Sequence, residues 1–303
     1  MNLVWLDYSK IVEIVEIASQ IILQIYLNDE LFMNMNMTIE NKVGESGNSP
    51  LTIADKKAND FICQELRSLY PDIPIISEEN KNDDWEVRRK YTWVWLVDPL
   101  DGTKEFIKRN GEFTVNIGLA YMGEPVAGFV GVPAKGLIYW GGGDRAWKKE
   151  IGCGKKIDLI EENVVRKKDG VTRIVASRSH MDDKTEQFIK NNYVEEGKRI
   201  ELLNVGSSLK ILWIAENLVD VYPRLAPTME WDTCAAHAIL RACGGTLVMP
   251  DNNSLSHPDS NDLGAIPFLK GAELTYNKKD LLNPHFIGSR IKSQSERKLH
   301  SGH

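Results

Sequence analysis

With 303 residues, of which 42% are hydrophobic and 26% charged, the chain has the composition of a folded globular protein, not of a disordered or collagen-like one. Its 37 Lys and Arg residues against 43 Asp and Glu residues leave a net charge of −6. The basic surface that nucleic-acid polymers require is therefore not expected. A small anion held by a few local cations or metal ions is still compatible with this charge.

The sequence predicts neither secretion nor membrane insertion. Its most apolar stretch, residues 11–27, is interrupted by polar and charged residues such as Glu13 and Glu16, and no cationic segment or cleavage site marks a signal peptide. The four cysteines are far apart and lie at no zinc-binding spacing, which is typical of reduced thiols. We expect a cytoplasmic protein without a membrane span.

Two helices are predicted in the first 70 residues. Apolar residues recur at helical spacing over residues 7–27 and again over residues 52–70, where Pro71 ends the pattern. Between them, residues 33–50 are polar and rich in Met, Asn and Gly, which predicts a strand or a hairpin.

Strands dominate the next segment, and strands alternate with helices after it. Apolar runs at 73–77 and 92–97 predict buried central strands, and 113–140 predicts an antiparallel meander. The alternation in the second half is typical of an α/β arrangement, with strands at 173–176, 200–204, 219–222 and 246–249 and helices at 182–192, 208–216 and 232–243. We divide the chain into an α+β domain (1–150), an α/β domain (151–288) and a disordered polar tail (289–303).

The strongest functional signal is the motif DPLDGT, which runs from Asp98 to Thr103. It lies where a predicted buried strand ends and a helix begins, so its two carboxylates can converge on one point. Gly102 lets the backbone approach a ligand, and amides at the start of the helix can hold an anion. The motif therefore predicts a phosphate joined to the two acids through a metal ion.

Two other interpretations of this motif are open. A helix-capping Asp would explain one of the two acids but not both. The haloacid-dehalogenase pattern is also rich in Asp-Gly-Thr, but its two acids stand two residues apart, whereas Asp98 and Asp101 stand three apart.

Further acids stand at comparable places in the chain: Asp55, the Glu78-Glu79 pair and Asp232. Each of them alone is more often a helix cap or a surface charge. Gathered in one pocket, their charges would repel strongly unless cations neutralised them. Oxygen ligands without His or Cys favour Mg²⁺, so the set predicts a magnesium site.

Together these residues resemble the lithium-sensitive, magnesium-dependent phosphatases of the inositol monophosphatase family, and more narrowly its 3′(2′),5′-bisphosphate nucleotidases of the CysQ type. The resemblance spans residues 6–287. Its motifs are DPLDGTKEFI (98–107), ASRSH (176–180), GSSLK (206–210), YPR (222–224), PTMEWDT (227–233) and YNKKDLLNP (276–284). The resemblance implies the layered αβαβα sandwich of the sugar-phosphatase fold, an α+β or α/β architecture.

The resemblance also implies a role for each site residue. Two or three Mg²⁺ ions would be bound by Glu78, Asp98, the Leu100 carbonyl, Asp101 and Asp232. Asp55 and Thr103 would orient the attacking water, without a phosphoenzyme. The implied substrate contacts are Asp101, Gly102, Thr103, His180, Ser207, Lys210 and Arg224.

The expected reaction is removal of the 3′-phosphate from adenosine 3′,5′-bisphosphate to give AMP, with the sulfated analogue as a second substrate and with inhibition by Li⁺. One rival is an inositol phosphate or inositol polyphosphate 1-phosphatase. Another is a nucleotide-binding regulator that has lost catalysis. His180, Lys210 and Arg224 favour the nucleotide, because its second phosphate must be bound away from the metals.

The chain departs from the family pattern at two places. The Lys that often precedes the Ser-Pro-Leu-Thr sequence is missing from residues 44–48, which puts the metal-binding role of that loop in doubt. Leu225 and Ala226 replace the commoner Phe-Gly after Tyr-Pro-Arg, a change in the pocket wall.

Overall fold

The computed structural model describes residues 3–30, 53–161, 170–177, 183–194, 199–250 and 271–290. The predicted hairpin at 33–50, His180 and residues 291–303 lie outside these ranges. All four cysteines are described and are free, as the sequence predicts. In the described parts of the chain, no helix is long and apolar enough to cross a membrane.

Helices α1 (Tyr8–Tyr26) and α2 (Ile53–Leu69) confirm the two predicted N-terminal helices. Helix α1 begins after Asp7, whose carboxylate Oδ1 accepts hydrogen bonds from the backbone amides of Ser9 at 3.0 Å and Lys10 at 3.3 Å. Its isoleucine-rich face is buried, and the two helices pack against each other and against the first sheet.

The first sheet has seven strands that neighbour one another in chain order. Strands β1 and β2 are parallel, and the other pairs are antiparallel, as in the predicted meander. The strands are β1 (Ile75–Ser77), β2 (Trp93–Asp101), β3 (Thr114–Tyr121), β4 (Glu124–Val132), β5 (Leu137–Gly142), β6 (Arg145–Glu150) and β7 (Lys156–Asp158). Two short helices lie between them, α3 (Trp85–Arg88) and α4 (Thr103–Ile107).

The second sheet has the strand order β11-β12-β10-β8-β9, with parallel pairing of β10 to β8 and of β8 to β9. Its strands are β8 (Val171–Ser177), β9 (Arg199–Val205), β10 (Val221–Arg224), β11 (Thr246–Val248) and β12 (Phe286–Ser289), and the helices of this half are α5 (Asp183–Tyr193), α6 (Leu209–Ala215) and α7 (Glu230–Ala242). Strand β12 was not predicted. Ser289, assigned from the sequence to the tail, is instead its buried last residue.

The elements stack as the five-layered αβαβα sandwich that the resemblance implies. Helices α1 and α2 cover one face of the first sheet, α6 and α7 lie between the two sheets, and α5 packs on the outer face of the second. Contact between α7 and the first sheet is close, since a Cβ atom at Gly128 would lie 1.9 Å from the Ala235 carbonyl oxygen. The division of the chain at residue 150 stays a prediction. Strand β7 extends the first sheet to Asp158, and α7 packs against both sheets.

Candidate active site

A cleft of about 440 Å³ lies where the β2–α4 corner of the first sheet faces the β9–α6 loop and β10 of the second. It gathers ten of the twelve residues that the sequence proposes for the site. They are Glu78, Asp98, Leu100, Asp101, Gly102, Thr103, Ser207, Lys210, Arg224 and Asp232. Asp55 lies beside the cleft on α2, and His180 is outside the described residues.

The pairing of β1 with β2 brings Glu78 beside Asp98. These strands are parallel, so their carboxyl ends lie at the same edge of the sheet, and the amide of Glu78 donates a hydrogen bond to the Val97 carbonyl at 3.2 Å. Acids that are twenty residues apart in the sequence therefore become neighbours.

A bulge in β2 positions the acids of the DPLDGT motif. Asp98 pairs with Asn116 and Asp101 with Thr114, so two residues of β2 stand opposite a single residue of β3. Pro99 lies in this bulge and has no amide to give to the sheet. Asp98 Oδ1 accepts the Leu100 amide at 3.0 Å, which folds the carboxylate back over the corner.

Gly102 and Thr103 form the turn from β2 into α4. Gly102 has φ +91°, and a Cβ atom there would lie 2.1 Å from Ser207 Oγ. Thr103 is buried, with its hydroxyl 3.5 Å from the Leu100 carbonyl. The turn thus depends on a glycine for both its backbone conformation and its contact with the β9–α6 loop.

Every proposed carboxylate of the site has a raised pKa. Burial is the main cause at Asp98, and the neighbouring charges of Glu78 and Asp101 add to it. Burial likewise raises the pKa of Asp232, and repulsion from Asp101 adds to this shift. Burial also raises the pKa of Asp101, while the charge of Lys210 opposes that shift. Glu78 is exposed overall, but loss of hydration at its carboxyl, then repulsion from Asp101, raises its pKa to about 7.

Asp55 belongs to the same electrostatic group. It lies in the first turn of α2 and is buried, which raises its pKa well above the ordinary value, and repulsion from Glu79 and Glu78 raises it further. Its carboxyl also shares a hydrogen bond with Glu79. The sequence did not assign a role to Glu79, whose own pKa is raised by burial.

The donor chemistry of this group fits a hard divalent cation, because it consists of carboxylates with the Leu100 carbonyl and without His or Cys. Within the described residues, no three Asp, Glu, His or Cys side chains lie close enough together to bind one metal ion. The acids are instead joined in pairs, Glu78 with Asp98 and Asp55 with Glu79.

Two cationic side chains lie on the opposite wall. Lys210 is buried, and its Nζ donates to the Ser207 carbonyl at 2.8 Å and lies 5.6 Å from the centre of the Tyr222 ring. Burial lowers the pKa of Lys210 to about 8, and Asp101 opposes this shift. Arg224 is half-buried, and its guanidinium donates to the Pro227 carbonyl at 2.8 Å.

Glu112 joins the two walls and was missed by the sequence analysis. Its carboxylate accepts the Gly206 amide at 2.9 Å, and its backbone carbonyl lies 2.7 Å from Ser207 Oγ. The same hydroxyl lies 2.9 Å from the Asp101 carbonyl, and Ser207 has φ +51°. Ser207 therefore lines the cleft, with its hydroxyl directed to backbone carbonyls. Glu112 belongs to no recognisable motif, so no sequence signal could have identified it.

An αβαβα sandwich with an acid-lined cleft between its sheets defines the sugar-phosphatase class of folds. The chain belongs to the inositol monophosphatase family, whose model matches residues 8–297.

Within this family the chain is similar to proteins named 3′(2′),5′-bisphosphate nucleotidase CysQ. The Salmonella typhimurium protein is 45% identical over 65% of this chain and 74% of its own length, and the Buchnera aphidicola protein is 37% identical over 88% and 93%. The crystal structure of CysQ from Bacteroides thetaiotaomicron covers 94% of this chain and 97% of its own, with 38% identity and a TM-score of 0.71. A staphylococcal IMPase-II structure, 18% identical with a TM-score of 0.62 over 95% of this chain and 90% of its own, shares the fold.

Proposed function

We propose that the protein is a phosphatase that hydrolyses the 3′-phosphate of adenosine 3′,5′-bisphosphate to give AMP and phosphate. The observation that carries the proposal is the similarity to CysQ nucleotidases over most of the chain, at 37% identity across 93% of the Buchnera protein. The cleft is compatible with this substrate, because it is lined both by the acids and by Lys210 and Arg224. One phosphate can then be hydrolysed at the acids while the other is bound by the cations.

The acids of the cleft would hold two or three Mg²⁺ ions through Glu78, Asp98, Asp101, Asp232 and the Leu100 carbonyl. When bound, Mg²⁺ supplies positive charge that favours ionisation of water and stabilises the departing 3′ oxygen. Inhibition by Li⁺, activity on the sulfated analogue and a cytoplasmic location are further parts of the proposal, which rest on the family resemblance.

The residues of the β2–α4 corner would orient the reactants. Asp55 and Thr103 would hold the attacking water and direct its proton, since Thr103 is buried at the start of α4 and Asp55 belongs to the same group of acids. The backbone amides of Gly102 and Thr103 would face the scissile phosphate. Ser207, Lys210, Arg224 and His180 would contact the rest of the substrate.

The test is phosphate release from matched substrates with wild type and Lys210→Ala. The wild-type enzyme should prefer adenosine 3′,5′-bisphosphate over 3′-AMP and inositol 1-phosphate. Loss of one charge-assisted contact should lower kcat/KM for the bisphosphate by roughly ten- to a hundredfold and that for 3′-AMP far less. Both substrates are measured with the same variant, so general damage to its fold lowers both rates equally and cancels in the comparison.

Two outcomes would contradict this proposal. A wild-type preference for inositol phosphates would favour the rival phosphatase of the same family. Equal losses on the two nucleotides would mean that Lys210 only supports the loop through its hydrogen bond to the Ser207 carbonyl.

A further inference from the structure

Residues 276–283, which we call the brace, run along the N-terminal turn of α7. The Glu230 amide donates to the Leu281 carbonyl at 2.9 Å, and the Asn283 amide donates to the Thr228 carbonyl at 2.8 Å. The Asn283 side chain donates to the Met229 carbonyl at 2.8 Å. These bonds fix the residues that immediately precede Asp232 in the chain.

The brace also supplies the partner of a fully buried acid. Glu230 has no solvent-exposed surface, and its carboxylate accepts the backbone amides of Asn277 and Lys278, the latter at 2.9 Å. Lys278 Nζ forms an ion pair with the same carboxylate at 2.5 Å. The cost of burying the Glu230 carboxylate offsets much of its attraction to Lys278, which is 27% exposed, so the pair is weak evidence for stability and a positional role is open to test.

The N-terminal end of the brace is bound to Arg88 of α3. Arg88, the last residue of α3, is buried, and its guanidinium donates to the side-chain oxygen of Asn277 at 3.0 Å and to the Lys278 and Lys279 carbonyls at 3.0 and 3.1 Å. The Asn277 side chain donates back to the Arg88 carbonyl at 2.8 Å. Helix α3 lies in the connection between β1, which precedes Glu78, and β2.

A direct chain of contacts leads from the brace to the Asp232 carboxylate. Asp232 Oδ2 accepts the Met229 amide at 2.9 Å, and the Met229 carbonyl is held by Asn283. The backbone of Asp232 is held as well, because Ser208 Oγ donates to its carbonyl at 2.8 Å. The orientation of this carboxylate therefore depends on where the brace places Met229.

We propose that the brace sets the position of Asp232 relative to Glu78 and Asp98, and that Glu230 and Lys278 are a positioning pair for divalent-cation binding. The inference rests on the proposed function, because it assumes that these acids bind the cation together. Neither Glu230 nor Lys278 touches the substrate or the cation in this scheme. They act through the first turn of α7.

The decisive variant is Lys278→Met, with Mn²⁺ binding measured by electron paramagnetic resonance as the readout. Changes in groups that orient metal ligands weaken metal affinity by about 10–100-fold, so we expect a loss of roughly tenfold. The matched control is Lys279→Met, since Lys279 is the exposed neighbour and its backbone carbonyl, not its side chain, accepts from Arg88. We expect its Mn²⁺ affinity to stay within about twofold of wild type, and Lys278→Arg to retain more affinity than Lys278→Met.

A separate measurement distinguishes positioning from stability. Denaturant unfolding in EDTA reports the free energy of unfolding of each variant without metal. If Lys278→Met unfolds more easily but binds Mn²⁺ as tightly as Lys279→Met, the pair is only structural and the proposal is overturned. If Lys278→Met does not fold, Asn283→Ala decides, because it frees the Met229 carbonyl and keeps the ion pair; unchanged Mn²⁺ affinity in that variant also overturns the proposal.

Failure of the proposed function would look different. If the metal site is wrongly assigned, wild-type protein will not bind Mn²⁺; if only the substrate is wrongly assigned, it will bind Mn²⁺ but release little phosphate from adenosine 3′,5′-bisphosphate. A wild type that does both, together with an Mn²⁺ affinity unaffected by either brace variant, would contradict the brace alone.

Discussion

Asp98 illustrates how far one carboxylate depends on its surroundings. It is almost fully buried, and its pKa is raised first by that burial and then by Glu78, Asp101, Asp232 and Asp55. Ionising it costs free energy in the metal-free protein, and a bound cation would reverse this cost. Asp98 therefore lowers the stability of the metal-free protein but supplies a carboxylate ligand for the proposed metal site.

Replacing Asp98 by Asn should therefore separate activity from stability. We expect turnover to fall by at least about a hundredfold, since one metal ligand is lost. The free energy of unfolding in EDTA should stay level or rise, because the Asn oxygen can still accept the Leu100 amide and a repelling charge is gone. Phosphate release and denaturant unfolding measure the two quantities, with Asp72→Asn at an exposed position outside the cleft and the brace as control. Near wild-type turnover at saturating Mg²⁺ would contradict the ligand assignment.

The β2–α4 corner requires glycine at position 102. Gly102→Ala places a Cβ atom 2.1 Å from Ser207 Oγ and forces an L residue to φ +91°. We expect kcat/KM to fall by roughly a hundredfold, because the turn must shift by a substantial part of an ångström.

The control for this variant is Gly143→Ala. Gly143 also has a positive φ, +62°, but no atom lies within 4 Å of an added Cβ. Gly143→Ala therefore also places an L residue at positive φ, but its Cβ atom meets no neighbouring atom. Equal losses of kcat/KM in the two variants would show that the contact with Ser207 is unimportant.

Periodicity and turn residues predicted most elements to within a few residues. Residues 7–27 were predicted helical and α1 spans Tyr8–Tyr26, while 199–205 form β9 where 200–204 was predicted. Strand β12 was missed, since a four-residue strand that includes Gly288 and pairs antiparallel between β10 and β11 owes its existence to those partners. Its own sequence carries little signal.

In the molecule as a whole, the site depends on contacts distant in sequence. The motifs identified Asp98 and Asp232, but the packing of α7 between the two sheets is what brings them near each other. Glu112 and Arg88 lie in none of the motifs, yet they bond to Gly206 of the GSSLK motif and Asn277 of the YNKKDLLNP motif. Such links could not be predicted from the sequence, because nothing local to Glu112 or Arg88 indicates their partners.

The stability of the metal-free protein should fall as the pH rises toward neutrality. The pKa of Glu78 is raised from 4.5 to about 7, so between these values the folded chain binds more protons than the unfolded chain and loses stability with increasing pH. The raised pKa values of Asp55, Asp98, Asp101 and Asp232 act in the same direction. His237 opposes them below pH 6.5, because burial lowers its pKa and the folded chain then binds fewer protons than the unfolded one.

Comparing wild type with Glu78→Gln cancels the contribution of His237 and measures that of Glu78 together with its repulsion of Asp98 and Asp55. In EDTA, Tm of wild type should decrease relative to that of Glu78→Gln as the pH rises from about 5 to about 7.5, the interval over which Glu78 ionises. Mg²⁺ should raise Tm of wild type more at pH 7.5 than at pH 5, since it binds the ionised carboxylates. Thermal melts at matched ionic strength measure both effects. A constant difference in Tm between the two proteins across this range would mean that Glu78 ionises at its ordinary pKa and lies outside the repelling group of acids.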